Sequence, residues 1–265
     1  MKIIDLDKDH ESEYLACLEE WDKEMIENRY IKEAWLHKMQ KKGLRTKLSL
    51  TEKGDVAGMI EYVPIEHSYA EGEDLYFINC IWVHGYEDKG VGNQQSKGIG
   101  TALLQAAEED VRSMGKKGLV AWGIPENFWM TAAWYQKHGY EKVDQLKWRI
   151  LVWKPFADDA KPPRWIRGEY AQEQMPDKVR VTAFYSGQCP AENCTYSRAK
   201  LVAGEFGDPV VFEVIDKSND ENRRRYGIQG GLYIDGKNIS KGPPPSCEEI
   251  RDKISKALSR LPKRR

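Results

Sequence analysis

One stretch of this sequence sets residues in a pattern that suits anion chemistry. Gln95-Ser96-Lys97-Gly98-Ile99-Gly100 is a polar, glycine-containing turn. An apolar run, Leu75–Val83, precedes it and reads as a buried strand. After it, Ile99, Leu103, Leu104, Ala107, Val111 and Met114 recur at helical spacing on one face, with Glu108, Glu109 and Asp110 on the other. Strand, turn and helix start together make an anion site. The first helical N–H groups have no internal partner, and the helix dipole favours negative charge there. Gly98 and Gly100 permit close backbone approach, and Lys97 adds a cation. No Gly-Lys-Ser/Thr closes the turn and the third glycine of a dinucleotide fingerprint is missing, so neither a P-loop nor a Rossmann site is expected.

The same residues resemble a known pattern. Gln95, Gly98 and Gly100 fit the Gln/Arg-x-x-Gly-x-Gly/Ala acetyl-CoA loop of the GNAT N-acyltransferase superfamily, and the strand ending Ile81-Trp82-Val83-His84 is similar to that family's central strand. Downstream, Tyr135-Gln136-Lys137-His138-Gly139-Tyr140 is similar to its Tyr-x-x-x-Gly-Phe/Tyr segment. The resemblance covers about the first 150 residues and implies acetyl-CoA as cosubstrate. Ile81, Trp82, Val83, Gln95, Ser96, Lys97, Gly98, Ile99, Gly100, Thr101 and Asn127 would hold it. It further implies that a bulge splays this strand from its parallel neighbour at Val120–Trp122, that pantetheine enters the gap, and that a backbone N–H near Ile81–Val83 faces the thioester oxygen. Tyr135 matches the general acid, since a phenol stays protonated at neutral pH and can donate. The base stays open among Glu61, His84, Glu87 and ordered water. Cys80 reads as a core thiol, so direct transfer without an acyl-enzyme is implied.

The elements that must position these groups follow in order. Lys2–Leu6 is a short strand. Asp9–Arg29 and Ile31–Lys42 are expected as two helices, a region that in the family lies beside the acceptor entrance. Thr46–Thr51 and Val56–Val63 form a hairpin turned at Lys53-Gly54-Asp55. The loop Gly85–Gln94 is longer than family members usually show, and whether it is a lid or a neutral insertion stays open. Leu119–Trp122 is a strand, Glu126–Lys137 a helix ended by Gly139, and Tyr140–Val143 and Lys147–Trp153 complete the sheet. Lys154–Asp177 is broken by prolines and reads as a linker, with Trp165 and Ile166 packing on a domain.

Val179–Tyr185, Cys194–Glu205, Pro209–Asp216, Asn219–Tyr226, Leu232–Ile234, Asn238–Ile239 and a final helix capped by Ser246 with Glu249 give the order βαβαββα. With Cys189-Pro190 at the first strand-to-helix turn, this half resembles a thioredoxin-like fold, and the whole chain resembles the YoaP-like acetyltransferases. Four residues stand between Cys189 and Cys194 instead of two, and no proline stands at Gly230-Gly231. Cys189 is expected to feel a helix N-terminus, which lowers a thiol pKa, with Cys194 or Cys247 as its pairing candidates. The fold class is therefore α/β (α+β): a GNAT fold with a splayed mixed sheet over residues 1–153, a linker over 154–177 and a smaller thioredoxin-like domain over 178–265.

Composition bounds the function. The chain has 265 residues, 40% hydrophobic and 31% charged, with a net charge of −1. That balance suits a globular protein and not a nucleic-acid binder, and Lys263-Arg264-Arg265 reads as a solvated tail. No apolar run approaches the ~18 residues of a membrane span. Met1–Asp7 does not read as a signal peptide, and five cysteines are too few for a disulfide framework in a chain this long. A cytoplasmic protein without a metal site is expected. The leading reading is an acetyl-CoA-dependent N-acetyltransferase for a primary amine of a small-molecule or amino-acid-like acceptor. Two others stand beside it: a protein or peptide N-acetyltransferase, and an acyl-CoA-binding protein with a thiol-based sensing module. Oligomeric state stays open.

Overall fold

The computed structural model describes residues 1–125, 130–172, 175–240 and 243–262. Asn127, the expected helix start at Glu126 and the basic Lys263–Arg265 tail lie outside the described residues. The chain divides into two compact units. One is Met1–Asp22 with Leu36–Arg167; the other is Lys23–Trp35 with Gly168–Arg265.

The first unit opens with β1 (Lys2–Asp5) and a single turn, α1 (Glu11–Leu15). The expected helix over Asp9–Arg29 is interrupted, because Cys17 and Leu18 take positive φ. Left-handed residues reverse a chain and end a right-handed helix. A continuous helix, α2, then spans Lys23–Gln40, across the expected break at Tyr30. The antiparallel strands β2 (Arg45–Leu50) and β3 (Val56–Pro64) follow, then the two-residue β4 (Ala70–Glu71) and β5 (Leu75–Val83). Next come α3 (Ile99–Ser113), β6 (Gly118–Gly123) and α4 (Ala132–Lys137). α4 is much shorter than expected, because Thr131 caps it by accepting the Trp134 N–H. The hairpin β7 (Glu141–Leu146) and β8 (Arg149–Pro155) completes a seven-stranded mixed sheet in the order β1-β2-β3-β5-β6-β8-β7.

The residues beyond β8 are not a bare linker. β9 (Arg164–Trp165) pairs with β4, and Trp165 is buried against Phe77. α3 seats its apolar stripe, Ile99, Leu103, Leu104, Ala107 and Val111, on Ala57, Ile60, Tyr62 and Ile78 of the sheet. Its acidic residues are less solvated than their spacing suggests. Glu108 pairs with Lys154 at 2.7 Å, and Asp110 accepts from Arg45 at 2.5 and 2.7 Å and from the Tyr62 hydroxyl at 2.6 Å. Burial and then Asp110 push the Tyr62 phenol up. Burial raises Asp110, but Arg45, Tyr62 and Lys47 outweigh it and hold the carboxyl below its usual range.

In the second unit β10 (Val179–Tyr185), α5 (Pro190–Phe206), β11 (Val210–Asp216), α6 (Asp220–Tyr226), β12 (Leu232–Ile234), β13 (Lys237–Asn238) and α7 (Cys247–Leu258) follow the expected βαβαββα order. The sheet runs β11-β10-β12-β13; β10 and β11 are parallel and the other pairs antiparallel. α7 begins with the expected Ser246–Glu249 capping box. Lys23–Trp35 belongs here because it is tied to α5: Arg198 pairs with Glu24, Ser197 Oγ donates to Asn28 Oδ1 at 2.5 Å, and Asn28 Nδ2 donates to the Cys194 sulfur.

Candidate active site

The site begins where two parallel strands part. β5 pairs with β6 only through Leu75, Tyr76 and Phe77. Beyond Phe77 the pairing stops, while β6 continues along β8 to Gly123. On its other edge β5 stays on β3, but Glu61 opposes Cys80 while Tyr62 opposes Ile78, so Asn79 is an extra residue. That bulge bends β5 away from β6. The sequence around Asn79 carries no local sign of it.

The bulge also determines which backbone groups face the gap. The His84 N–H donates to Ala57 O on β3, at 3.0 Å. Successive strand amides point to opposite edges, so the N–H groups of Val83 and Ile81 face the edge that β6 has left. The Trp82 amide lies on the β3 side, which sets it apart from the other two expected cofactor-binding positions. Gly58, opposite Val83, lets α3 come close: a Cβ there would stand 3.1 Å from Ile99 and Leu103 side-chain carbons.

The helix start lies just beyond. Gly98 is the N-cap of α3 with φ of 80°, and Ser96 is also left-handed at 62°. A glycine takes the first conformation at no steric cost. Ala102 is the first amide to reach a helical carbonyl, that of Gly98. The N–H groups of Gly98, Ile99, Gly100 and Thr101 therefore have no partner within the helix. Gln95–Gly98 is exposed. Lys97 Nζ reaches Gln94 Oε1 at 3.2 Å, and Gln95 Nε2 donates back to Val83 O at 3.2 Å. Thr101 Oγ1 donates to His138 Nε2 at 2.9 Å, while His138 Nδ1–H bonds Trp134 O at 2.8 Å. His138 and Trp134 thus brace α4 against α3. His138 is an unspecified position of the Tyr135–Tyr140 spacing and Trp134 precedes it, so that pattern marks neither.

Tyr135 is fully buried on α4, which starts where β6 ends: Ala132 N donates to Ile124 O. Its hydroxyl has no hydrogen-bond partner among the described residues, an expensive state for a buried polar atom. Burial, and then the nearby Cys80 thiol, push the phenol well above its usual range. Cys80 is half-buried and also feels Tyr14, whose hydroxyl lies 2.5 Å from Glu61 Oε2. Glu61 is fully buried. The structure thus gathers Glu61, Cys80 and Tyr135 around the splay.

His84 is placed differently. It is buried, with Nδ1 bonded to Gly92 O at 2.8 Å and its ring edge-on to Trp21 and Tyr86. The loop after it folds back: Gln94 N donates to His84 O, and Asn93 Nδ2 donates to Glu87 Oε1 at 2.8 Å. Val91 packs against the core beneath α3. His84 therefore anchors the loop, and Glu87 binds within it.

The cysteines of the second unit depart from expectation. Among the described residues no cysteine forms a disulfide. Cys189 is the N-cap of α5, and backbone N–H groups of Ala191 and Glu192 do lower its pKa. Burial of the thiol and the Glu192 carboxylate outweigh them and push it up. Cys194, five residues into the helix, is buried.

The family described as "Acetyltransferase (GNAT) family" matches residues 6–140, just over half of the chain. No curated protein matches the chain. Among solved structures, the GNAT N-acetyltransferase YhbS from Escherichia coli in complex with CoA is 13% identical, over 62% of this chain and 88% of that one, with a TM-score of 0.44. PaiA N-acetyltransferase from Thermoplasma acidophilum in complex with coenzyme A is 17% identical, over 59% and 100%, with a TM-score of 0.44. Aminoglycoside 6'-acetyltransferase type Ii is also 17% identical, over 61% and 100%, with a TM-score of 0.43.

Proposed function

This chain belongs to the acetyltransferase (GNAT) family, and on that footing we propose that it passes the acetyl group of acetyl-CoA directly to a primary amine of a small-molecule or amino-acid-like acceptor. The buried hydroxyl of Tyr135 beside the splay, without a partner among the described residues, carries the reading. A hydroxyl left unpaired in an apolar interior costs about 1–3 kcal/mol, and a bound cosubstrate sulfur offers it a partner.

The residues fit the cosubstrate. The free amides of Gly98–Thr101 and the Lys97 ammonium suit its phosphates. The amides of Ile81 and Val83 suit its amide-bearing arm. Bound acetyl-CoA supplies an electrophilic thioester carbonyl and a sulfur leaving group. An Ile81 or Val83 N–H donates to the carbonyl oxygen as it gains charge. Tyr135 holds a proton at Oη for the departing sulfur. Glu61, oriented by Tyr14, accepts the proton of the amine, which must be neutral to attack. His84 is left to anchor the loop.

For the second unit, the βαβαββα order and Cys189 at the first strand-to-helix turn support a thioredoxin-like, YoaP-type module. It acts by binding, without disulfide turnover. The test of the whole reading is release of CoA thiol from acetyl-CoA across a panel of small primary amines and peptides. Turnover with small amines supports it; acetyl-CoA binding with no turnover by any acceptor overturns it.

A further inference from the structure

The second unit contains a groove that the acetyl-transfer site does not use. It encloses about 860 Å³ between the β12–β13 hairpin and the C-terminal half of α7. Its floor is apolar, with Ile234 and Ala257 buried and Ile239 and Leu261 partly so. Its rim is cationic. Lys253, Lys256 and Arg260 recur every three or four residues along and just past α7, and Lys237 stands on the hairpin. All four are exposed, and none makes an ion pair among the described residues. Among the described residues the lining holds a single acid, Asp235, whose Oδ1 already accepts the Arg180 N–H at 3.0 Å.

One wall of the groove is a sheet edge. β13 is the outermost strand of its sheet. The Ile239 N–H donates inward to Leu232 O, so the peptide N–H and C=O of Asn238 turn outward by strand alternation. An open edge is a template for another strand. A lone edge lysine ordinarily keeps strands away. Here Lys253 and Lys256 of the facing helix and Arg260 just past it add three more cations, and the combined field selects by sign.

The geometry points to a docking site for an extended acidic peptide segment. Its backbone pairs with Asn238, its carboxylates lie among Lys237, Lys253, Lys256 and Arg260, and its alternate apolar side chains meet Ile239 and Leu261. Among the described residues no aromatic side chain lines the groove. Single-stranded nucleic acid, which binds through aromatic stacking platforms, therefore fits less well.

The test titrates the full-length protein into a fluorescent peptide of alternating Glu and Leu, reading anisotropy at low and high salt. Oligo-dT, inorganic pyrophosphate, the Gln-for-Glu peptide and an N-methylated peptide serve as comparisons. Saturable binding is expected that weakens at least tenfold in Lys253→Glu/Lys256→Glu, with thermal unfolding unchanged, and that also weakens in the Gln and N-methylated peptides. Equal binding by the charge-reversed protein or the N-methylated peptide, tighter binding of oligo-dT or pyrophosphate, or no peptide binding overturns the assignment. Because only binding is read, the result is independent of acetyl transfer.

Discussion

The hydroxyl of Tyr14 lies 2.5 Å from Glu61 Oε2, joining α1 to the middle of β3 inside a fully buried pocket. A bond this short is characteristic of a hydroxyl donating to a charged oxygen. Burial, and then Glu61, push the Tyr14 phenol well up, so it remains a donor. Glu61→Gln is expected to lower kcat by about 10²-fold, the usual scale for losing a general base, with acetyl-CoA affinity retained. Tyr14→Phe is expected to cost about 1.5–3 kcal/mol of stability and a smaller part of kcat. Wild-type turnover in Glu61→Gln removes Glu61 as the base.

Tyr135 makes a cleaner test. Tyr135→Phe keeps the ring and removes only the partnerless hydroxyl, so the fold should hold or gain slightly. Turnover should fall by about 10²-fold, with an unchanged Kd for acetyl-CoA by calorimetry. Because burial disfavours the phenolate, Tyr135 stays protonated past its ordinary range. The rate should show no alkaline limb from this group below about pH 10. An alkaline limb near neutrality that vanishes in Tyr135→Phe contradicts the assignment.

Gly98 separates backbone strain from ligand exclusion. A Cβ there meets nothing within 4 Å, yet φ is 80°. Gly98→Ala should therefore cost only about 1 kcal/mol of stability, the scale of a left-handed non-glycine residue. Gly98→Glu places a carboxylate among amides suited to phosphate and should abolish acetyl-CoA binding. Unchanged binding in Gly98→Glu sinks the loop assignment.

Asp110 predicts an acid dependence. Its carboxyl is held below its unfolded value despite burial, by Arg45, Tyr62 and Lys47. The stability it contributes is complete above the unfolded pKa of about 3.9 and is lost as pH falls through the lower folded value. Thermal unfolding of Asp110→Asn should trail wild type at neutral pH, and the gap should close in strong acid. A gap that is constant with pH rules out the ion pair as its source.

Cys189 and Cys194 should not form a disulfide in the folded protein. Five helical residues rise about 7.5 Å, beyond the usual Cα span of a disulfide. With its thiol pKa raised, Cys189 should also alkylate slowly at neutral pH. Mass spectrometry after mild oxidation checks the first point and timed alkylation the second. A 189–194 crosslink in folded protein overturns the first, and fast alkylation of Cys189 at neutral pH overturns the second.

Much of the first unit was legible along the chain, because strands, helix faces and the glycine turn are local signals. The α3 stripe from Ile99 to Val111 is read from spacing alone, as are the Ser246–Glu249 capping box and the βαβαββα order. Break points were less legible. Nothing in the sequence marks Cys17 and Leu18 as left-handed, and the helix through Tyr30 continues because its residues pack on α5, more than 150 positions later.

By itself, then, the sequence determined a glycine-containing turn leading from a strand into the α3 helix and the element order of both halves. These follow from side-chain type and short-range periodicity, which the unfolded chain already carries. Tertiary structure decided the rest. The bulge at Asn79 exists only through pairing with β3, and it alone turns the Ile81 and Val83 amides toward the gap. Burial set the Cys189 thiol against its helix N-terminus and won, and it brought Tyr14 onto Glu61. Desolvation and cross-strand register depend on residues distant in sequence, so no local pattern can hold them.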